Sequence, residues 1–100
     1  MASKRFKLIA HVSSSSLKSI RPVLVKAITK GKVKEADGEF IVEAEMEGES
    51  AKELNRSLLS ALRRAEKKTR LRTEWTSDDG TTERFFDYVL KKTIRADPPR

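Results

Sequence analysis

Apolar and polar positions alternate with period two from Phe6 to Val12, so Phe6, Leu8, Ala10 and Val12 face one way and Lys7, Ile9 and His11 the other. This is the pattern of a half-buried strand. The serine run 13–16 ends it, and the spacing of Ile20, Leu24, Ala27 and Ile28 predicts an amphipathic helix. If Ser19 caps that helix, Pro22 falls in its first turn; if it starts at Ser16, Pro22 bends it. Gly31 is the expected stop. Asp37-Gly38 then predicts a two-residue hairpin turn, placing Glu35 opposite Phe40 and Val33 opposite Val42. Phe40, Val42, Ala44 and Met46 point inward, whereas Ile41, Glu43, Glu45 and Glu47 point outward.

Ser50-Ala51-Lys52-Glu53 reads as a capping box opening a second helix, with Leu54, Leu58, Ala61, Leu62 and Ala65 as its buried stripe. A second hairpin is expected around Asp79-Gly80. In a two-residue register Trp75 faces Arg84, Thr73 faces Phe86, Leu71 faces Tyr88 and Arg72 faces Asp87. Leu71, Trp75, Phe86, Tyr88 and Leu90 then become core. The order β-α-β-β-α-β-β implies an α+β two-layer sandwich, a largely antiparallel sheet with both helices on one face. The split β-α-β arrangement puts the first strand beside the third, bringing Lys7 and His11 near Glu43, Glu45 and Glu47. Residues 1–95 are expected to form a single domain and 96–100 a flexible tail.

Charge changes this picture through its distribution. The net charge is +7 over 100 residues. Residues 1–34 carry nine Lys/Arg and no acid, 35–54 carry eight acids and one base, and 55–75 carry seven bases and two acids. A basic surface draws polyanions, but an acidic block in the same chain can cancel it internally. Cysteine is absent, which excludes disulfide and thiolate chemistry. Apolar runs are too short to span a membrane or to make a secretion signal, so a cytoplasmic protein without membrane contact is expected.

Catalytic chemistry finds little support. His11, the single histidine, could serve as a base or a pH sensor beside acidic neighbours, but the pattern favours a partly exposed residue on the polar sheet face. Glu43, Glu45 and Glu47, about 7 Å apart along a strand, could hold a divalent cation. A solvated face pairing with lysines is the better reading. The serines at 13–16 lack a base, and no glycine loop could cradle phosphate. No enzyme activity, metal or cofactor is expected.

The basic stretch around the second helix is the constellation with most weight. Lys52, Arg56, Arg63 and Lys67 recur on one helical face and Arg64 lies at its edge; Lys68, Arg70 and Arg72 extend the stripe. Such a stripe suits phosphates through counterion release, without reading bases.

The stretch Asp37–Glu45, followed by Ser50 and the helix Leu54–Ala65, resembles the small dimerising subunit of the KEOPS tRNA-modification complex. The resemblance covers roughly residues 5–68 and rests on the order of strand, helix, hairpin and long helix; the hairpin at 71–92 departs from that family's ending. It implies a non-catalytic homodimer that scaffolds larger subunits and helps engage tRNA, with Arg56 in place of the family's arginine near the start of its second helix. The closing hairpin is fainter in its likeness to the archaeal chromatin protein Alba, whose basic loop is absent.

Two functions follow as expectations. The first is a nucleic-acid-binding or nucleoprotein-assembly module, RNA before DNA, using Lys52, Arg56, Arg63, Arg64, Lys67, Lys68 and Arg70. The second is a scaffold subunit, a homodimer or part of a larger complex, without direct nucleic-acid contact.

Overall fold

The alternation at the start of the chain becomes the central strand of a six-stranded antiparallel sheet. In the computed structural model, which describes residues 4–28 and 30–95, the elements are β1 (Lys4–Ser13), α1 (Leu17–Ala27), β2 (Gly31–Ala36), β3 (Glu39–Gly48), α2 (Ala51–Ala65), β4 (Arg70–Ser77), β5 (Thr82–Phe86) and β6 (Val89–Ile94). The sheet order is β2-β3-β1-β4-β5-β6. The first four strands of that order are the split β-α-β arrangement, and both helices bury their apolar stripes on one face of the sheet. The tail expected at 96–100 lies outside the described residues.

The core is built as the period-two pattern dictates. Phe6, Leu8, Ala10 and Val12 of β1 and Phe40 and Val42 of β3 meet Ile20, Leu24, Leu58, Leu59 and Leu62 of the helices. Trp75 is fully buried and stacks edge-on against Phe6, with ring centroids 6.4 Å apart. The first hairpin has the expected register, Glu35 opposite Phe40 and Val33 opposite Val42. Asp37 and Gly38 both take positive φ, 52° and 79°, as a type I′ turn requires. On the open face β1 lies against β3, with Lys7 opposite Glu45 and Arg5 3.6 Å from Glu47. Glu43, Glu45 and Glu47 of the acidic block thus stand opposite Lys32, Lys7 and Arg5 in the sheet.

Other expectations need correction. Helix α1 starts after Ser16, so Pro22 sits inside it, unable to donate to the Lys18 carbonyl. Lys18 and Pro22 both face solvent, where water can take that carbonyl. Gly31 opens β2 and does not stop the helix, which is capped at Ile28. A Cβ at Gly31 would collide with the Glu43 carbonyl and the Ala44 side chain, so close strand approach demands glycine there. Of the capping box the structure shows the Ser50 half: its Oγ accepts from the Glu53 amide at 3.1 Å. The buried stripe of α2 is rotated, with Ala51, Asn55, Leu58, Leu59 and Leu62 buried and Ala65 exposed. The rotation seats the Asn55 amide over β4.

The largest difference is in the second hairpin. Thr73 pairs with Phe85 and Trp75 with Glu83, one residue off the expected register. The cause is a three-residue loop. The Gly80 amide donates to the Ser77 carbonyl at 2.9 Å, the Ser77 amide donates to the Thr81 carbonyl, and Gly80 is left-handed at φ 87°. A one-residue slip exchanges the faces of the strand, so Phe85 enters the core and Phe86 does not. The chain then reverses again at Asp87-Tyr88 into a strand the sequence did not reveal, β6. Tyr88 and Leu90, expected in the core, are exposed. Arg72 faces Phe86 and not Asp87.

Asp79 holds this loop. Its carboxylate accepts from the Ser77 hydroxyl and, at 2.9 Å, from the Thr81 amide. The Ser77 hydroxyl foremost, then the Thr81 amide, lower its pKa from 3.8 to about 2. A carboxyl lowered in the folded state stabilises it above its unfolded value, and that stabilisation is lost as pH falls through about 2. An NMR titration of the Thr81 amide is therefore expected to show a step centred well below the ordinary carboxylate range, absent in Asp79→Asn. A step at the ordinary value would contradict this account.

Candidate nucleic-acid interface

The basic stretch divides into two groups. Lys52, Arg56 and Arg64 stand exposed on α2. Because the helix ends at Ala65, Lys67 and Lys68 lie on the connection to β4 and not on the helical face. That connection is knitted together. Thr69 is fully buried and donates to the Glu66 carbonyl at 2.7 Å and to Ser14 Oγ at 3.2 Å, while the Lys68 amide donates to the Glu66 carboxylate. Both lysines are thereby held outward at the end of the helix. Among the described residues, none of these five cations has a carboxylate within 4.0 Å.

Arg63 and Arg70 belong to a different arrangement, centred on Asp87. Its Oδ2 lies 3.3 Å from an Arg63 terminal nitrogen and accepts from Arg70 Nε at 3.1 Å, and its Oδ1 accepts from the Leu71 amide at 2.9 Å. Arg63 also donates to the Thr69 carbonyl at 2.9 Å. Each guanidinium lies over an aromatic ring, Arg63 5.4 Å from the Tyr88 centroid and Arg70 5.1 Å from that of Phe86. Asp87 has φ 55°, a conformation aspartate tolerates better than most residues. Its own amide donates to the Leu71 carbonyl at 2.7 Å. One carboxylate thus fastens the β5–β6 turn to β4 and α2 while offsetting part of the stripe's charge.

Behind this hub lies Asn55, buried at 1% exposure. Its Nδ2 donates to the Asp87 carbonyl at 2.7 Å, and its Oδ1 accepts from Thr73 Oγ1 at 2.6 Å and Trp75 Nε1 at 3.2 Å. Among the described residues no buried side-chain nitrogen or oxygen is left without a partner.

Sequence reasoning missed cations on the first helix. Lys18, Arg21 and Lys26 are exposed on α1, which carries no acid, and α1 packs beside α2 on the same face of the sheet. Glu53 is the single acid within the two helices. The acid-free run 1–34 held the signal, but it does not by itself say that the two helices share a face.

The other candidates remain dispersed. His11 Nδ1 is 3.6 Å from Glu39 Oε1 on the open sheet face. Glu43 and Glu45 are exposed, opposite Lys32 and Lys7 in register. Among the described residues no group of three or more His, Asp or Glu is placed to hold a metal ion. Among the described residues no helix is long and apolar enough to cross a membrane. The chain matches no protein-family model, no curated protein and no solved structure.

Proposed function

We propose that the protein is a non-catalytic nucleic-acid-binding module acting in the cytoplasm, with RNA preferred over DNA and the helical layer as its contact surface. The observation that carries this reading is the set Lys52, Arg56, Arg64, Lys67 and Lys68, exposed and without carboxylate partners among the described residues. Cations in that state keep their full attraction for phosphate and release counterions when they meet it. Lys18, Arg21 and Lys26 widen the surface. Arg63 contributes to it while tied to Asp87. The preference for RNA rests on the resemblance to a tRNA-engaging family, and that resemblance makes tRNA the natural probe.

Filter binding at low salt is expected to retain tRNA. Arg64→Glu and Lys67→Glu are each expected to weaken retention about tenfold without altering the fold. Arg63→Glu is a poor test, because it also breaks the contacts to Asp87 and Thr69. If neither tRNA nor duplex DNA is retained, the reading fails.

A scaffold role has one observation of its own in favour. The edge strand β6 exposes Val89 at 56% and Leu90 at 47%, beside an unpaired backbone edge. Lys91 and Lys92 in the same strand oppose pairing with an identical edge. Sedimentation as a strict monomer at high concentration would exclude the homodimer.

A further inference from the structure

The open face of the sheet, opposite the helices, is divided by charge. Its β3 half carries Glu43, Glu45 and Glu47, set against Lys32 of β2 and Lys7 and Arg5 of β1. A polyanion finds no net attraction there. The other half, over β4, β5 and β6, carries Arg70, Arg72, Arg84 and Lys92. Its opposing acids are Glu74, joined to Arg84 at 2.8 Å, and Asp87, joined to Arg70 at 3.1 Å.

On this basic half lies a concavity of about 430 Å³, lined among others by Ile9, His11, Arg72, Phe86 and Lys91. Its size falls within the range of small-ligand sites. Phe86 is half-buried and on the open face, because the register of the β4–β5 hairpin turns Phe85 inward instead. Arg70 lies over its ring, Cζ 5.1 Å from the centroid, with a side chain 58% exposed. Phe86, unlike Arg70, lines the concavity, and its ring gives a base a planar group to stack on. Among the described residues Arg72 has no carboxylate within 4.0 Å and stands opposite Phe86 in the ladder. It is therefore placed to take the phosphate that adjoins a stacked base.

We infer that the concavity over β4 and β5 binds an unpaired nucleotide of a single strand, its base stacked on Phe86 and its phosphate on Arg72. The inference rests on the nucleic-acid reading above and adds a second surface to it with a different selectivity. The helical layer offers cations and suits any phosphate backbone. The sheet face offers a stacking platform, which an intact duplex cannot use because its bases are already stacked.

The test uses a short single-stranded RNA containing 2-aminopurine, whose fluorescence is quenched on stacking, alongside a duplex of the same length. The wild-type protein is expected to quench the probe. Phe86→Leu keeps an apolar side chain but removes the ring. It is expected to abolish the quench and weaken single-strand binding about tenfold, with duplex binding changed by less than about twofold. Arg72→Gln, on an exposed residue, is expected to weaken single-strand binding with the quench retained at saturation. Circular dichroism of each variant checks that it folds. Binding of both probes with no quench, or a Phe86→Leu variant that quenches like wild type, overturns this inference alone. No binding of either probe overturns it together with the reading on which it rests.

Discussion

Asn55→Ala is expected to destabilise the protein by about 3–4 kcal/mol, a large fraction of the 5–15 kcal/mol typical of a domain. The substitution removes few atoms but leaves three groups without partners. Thr73 Oγ1 and Trp75 Nε1 lose their common acceptor, and the Asp87 carbonyl loses its side-chain donor. Trp75 is fully buried and Thr73 nearly so, so water does not readily replace the lost bonds. Each unsatisfied buried group costs about 1–3 kcal/mol, and members of a network fail together. Urea unfolding measures the loss. Ser57→Ala, on the exposed side of the same helix, is the control and should stay within about 0.5 kcal/mol of wild type. A loss below about 1 kcal/mol for Asn55→Ala would show that the network is not what seats α2 on β4.

Asp87→Ala is expected to cost about 2–3 kcal/mol, from two sources. The carboxylate's bonds to the Leu71 amide and to the two arginines disappear. The positive φ also becomes a strain of about 1 kcal/mol for a residue with a plain Cβ. Asp87→Asn separates these sources. Asparagine tolerates the left-handed region and can still accept from the Leu71 amide, so its cost is expected to be about 1 kcal/mol. The two cation–π stacks depend on arginines that Asp87 positions, so both variants should loosen the β5–β6 hairpin. Hydrogen exchange at the Leu71 amide is the local readout. Faster exchange in Asp87→Ala than in Asp87→Asn is expected, and equal rates would contradict the assignment.

These two residues also mark where the sequence was readable and where it was not. The β1–β3 pairing was legible because the split β-α-β arrangement and a charge complement, Lys7 and His11 near Glu43, Glu45 and Glu47, agreed; the structure sets Lys7 opposite Glu45. The first hairpin was legible because Asp37-Gly38 satisfies both positive-φ positions of a two-residue turn. Asp79-Gly80 looks the same in sequence, but there the glycine ends a three-residue loop, favoured by the bonds from Asp79 to Ser77 and Thr81. The choice depends on side-chain contacts that a dipeptide does not display. The reversal at Asp87-Tyr88 contains no glycine or proline, and its strained residue is held by contacts from α2 and β4, distant in sequence. Asn55 looked like one more polar residue on a helix until β4 was placed beneath it.

The candidate surface was legible as charge and not as partnership. All seven cations were visible in the sequence. That Arg63 and Arg70 share one aspartate, and that Lys67 lies beyond the helix end, follows from tertiary contacts alone. The role of Phe86 depended on a one-residue register that the turn decided.

The salt dependence of RNA binding tests the central proposal most directly. If Lys52, Arg56, Arg64, Lys67 and Lys68 meet phosphates, the logarithm of the binding constant should fall linearly with the logarithm of salt concentration. For a single strand these five alone should contribute about −3 to −4 to the slope. Each charge-removing substitution among the five should reduce that slope by somewhat under one unit. A slope near zero, or one left unchanged by removal of all five charges, would contradict the proposal.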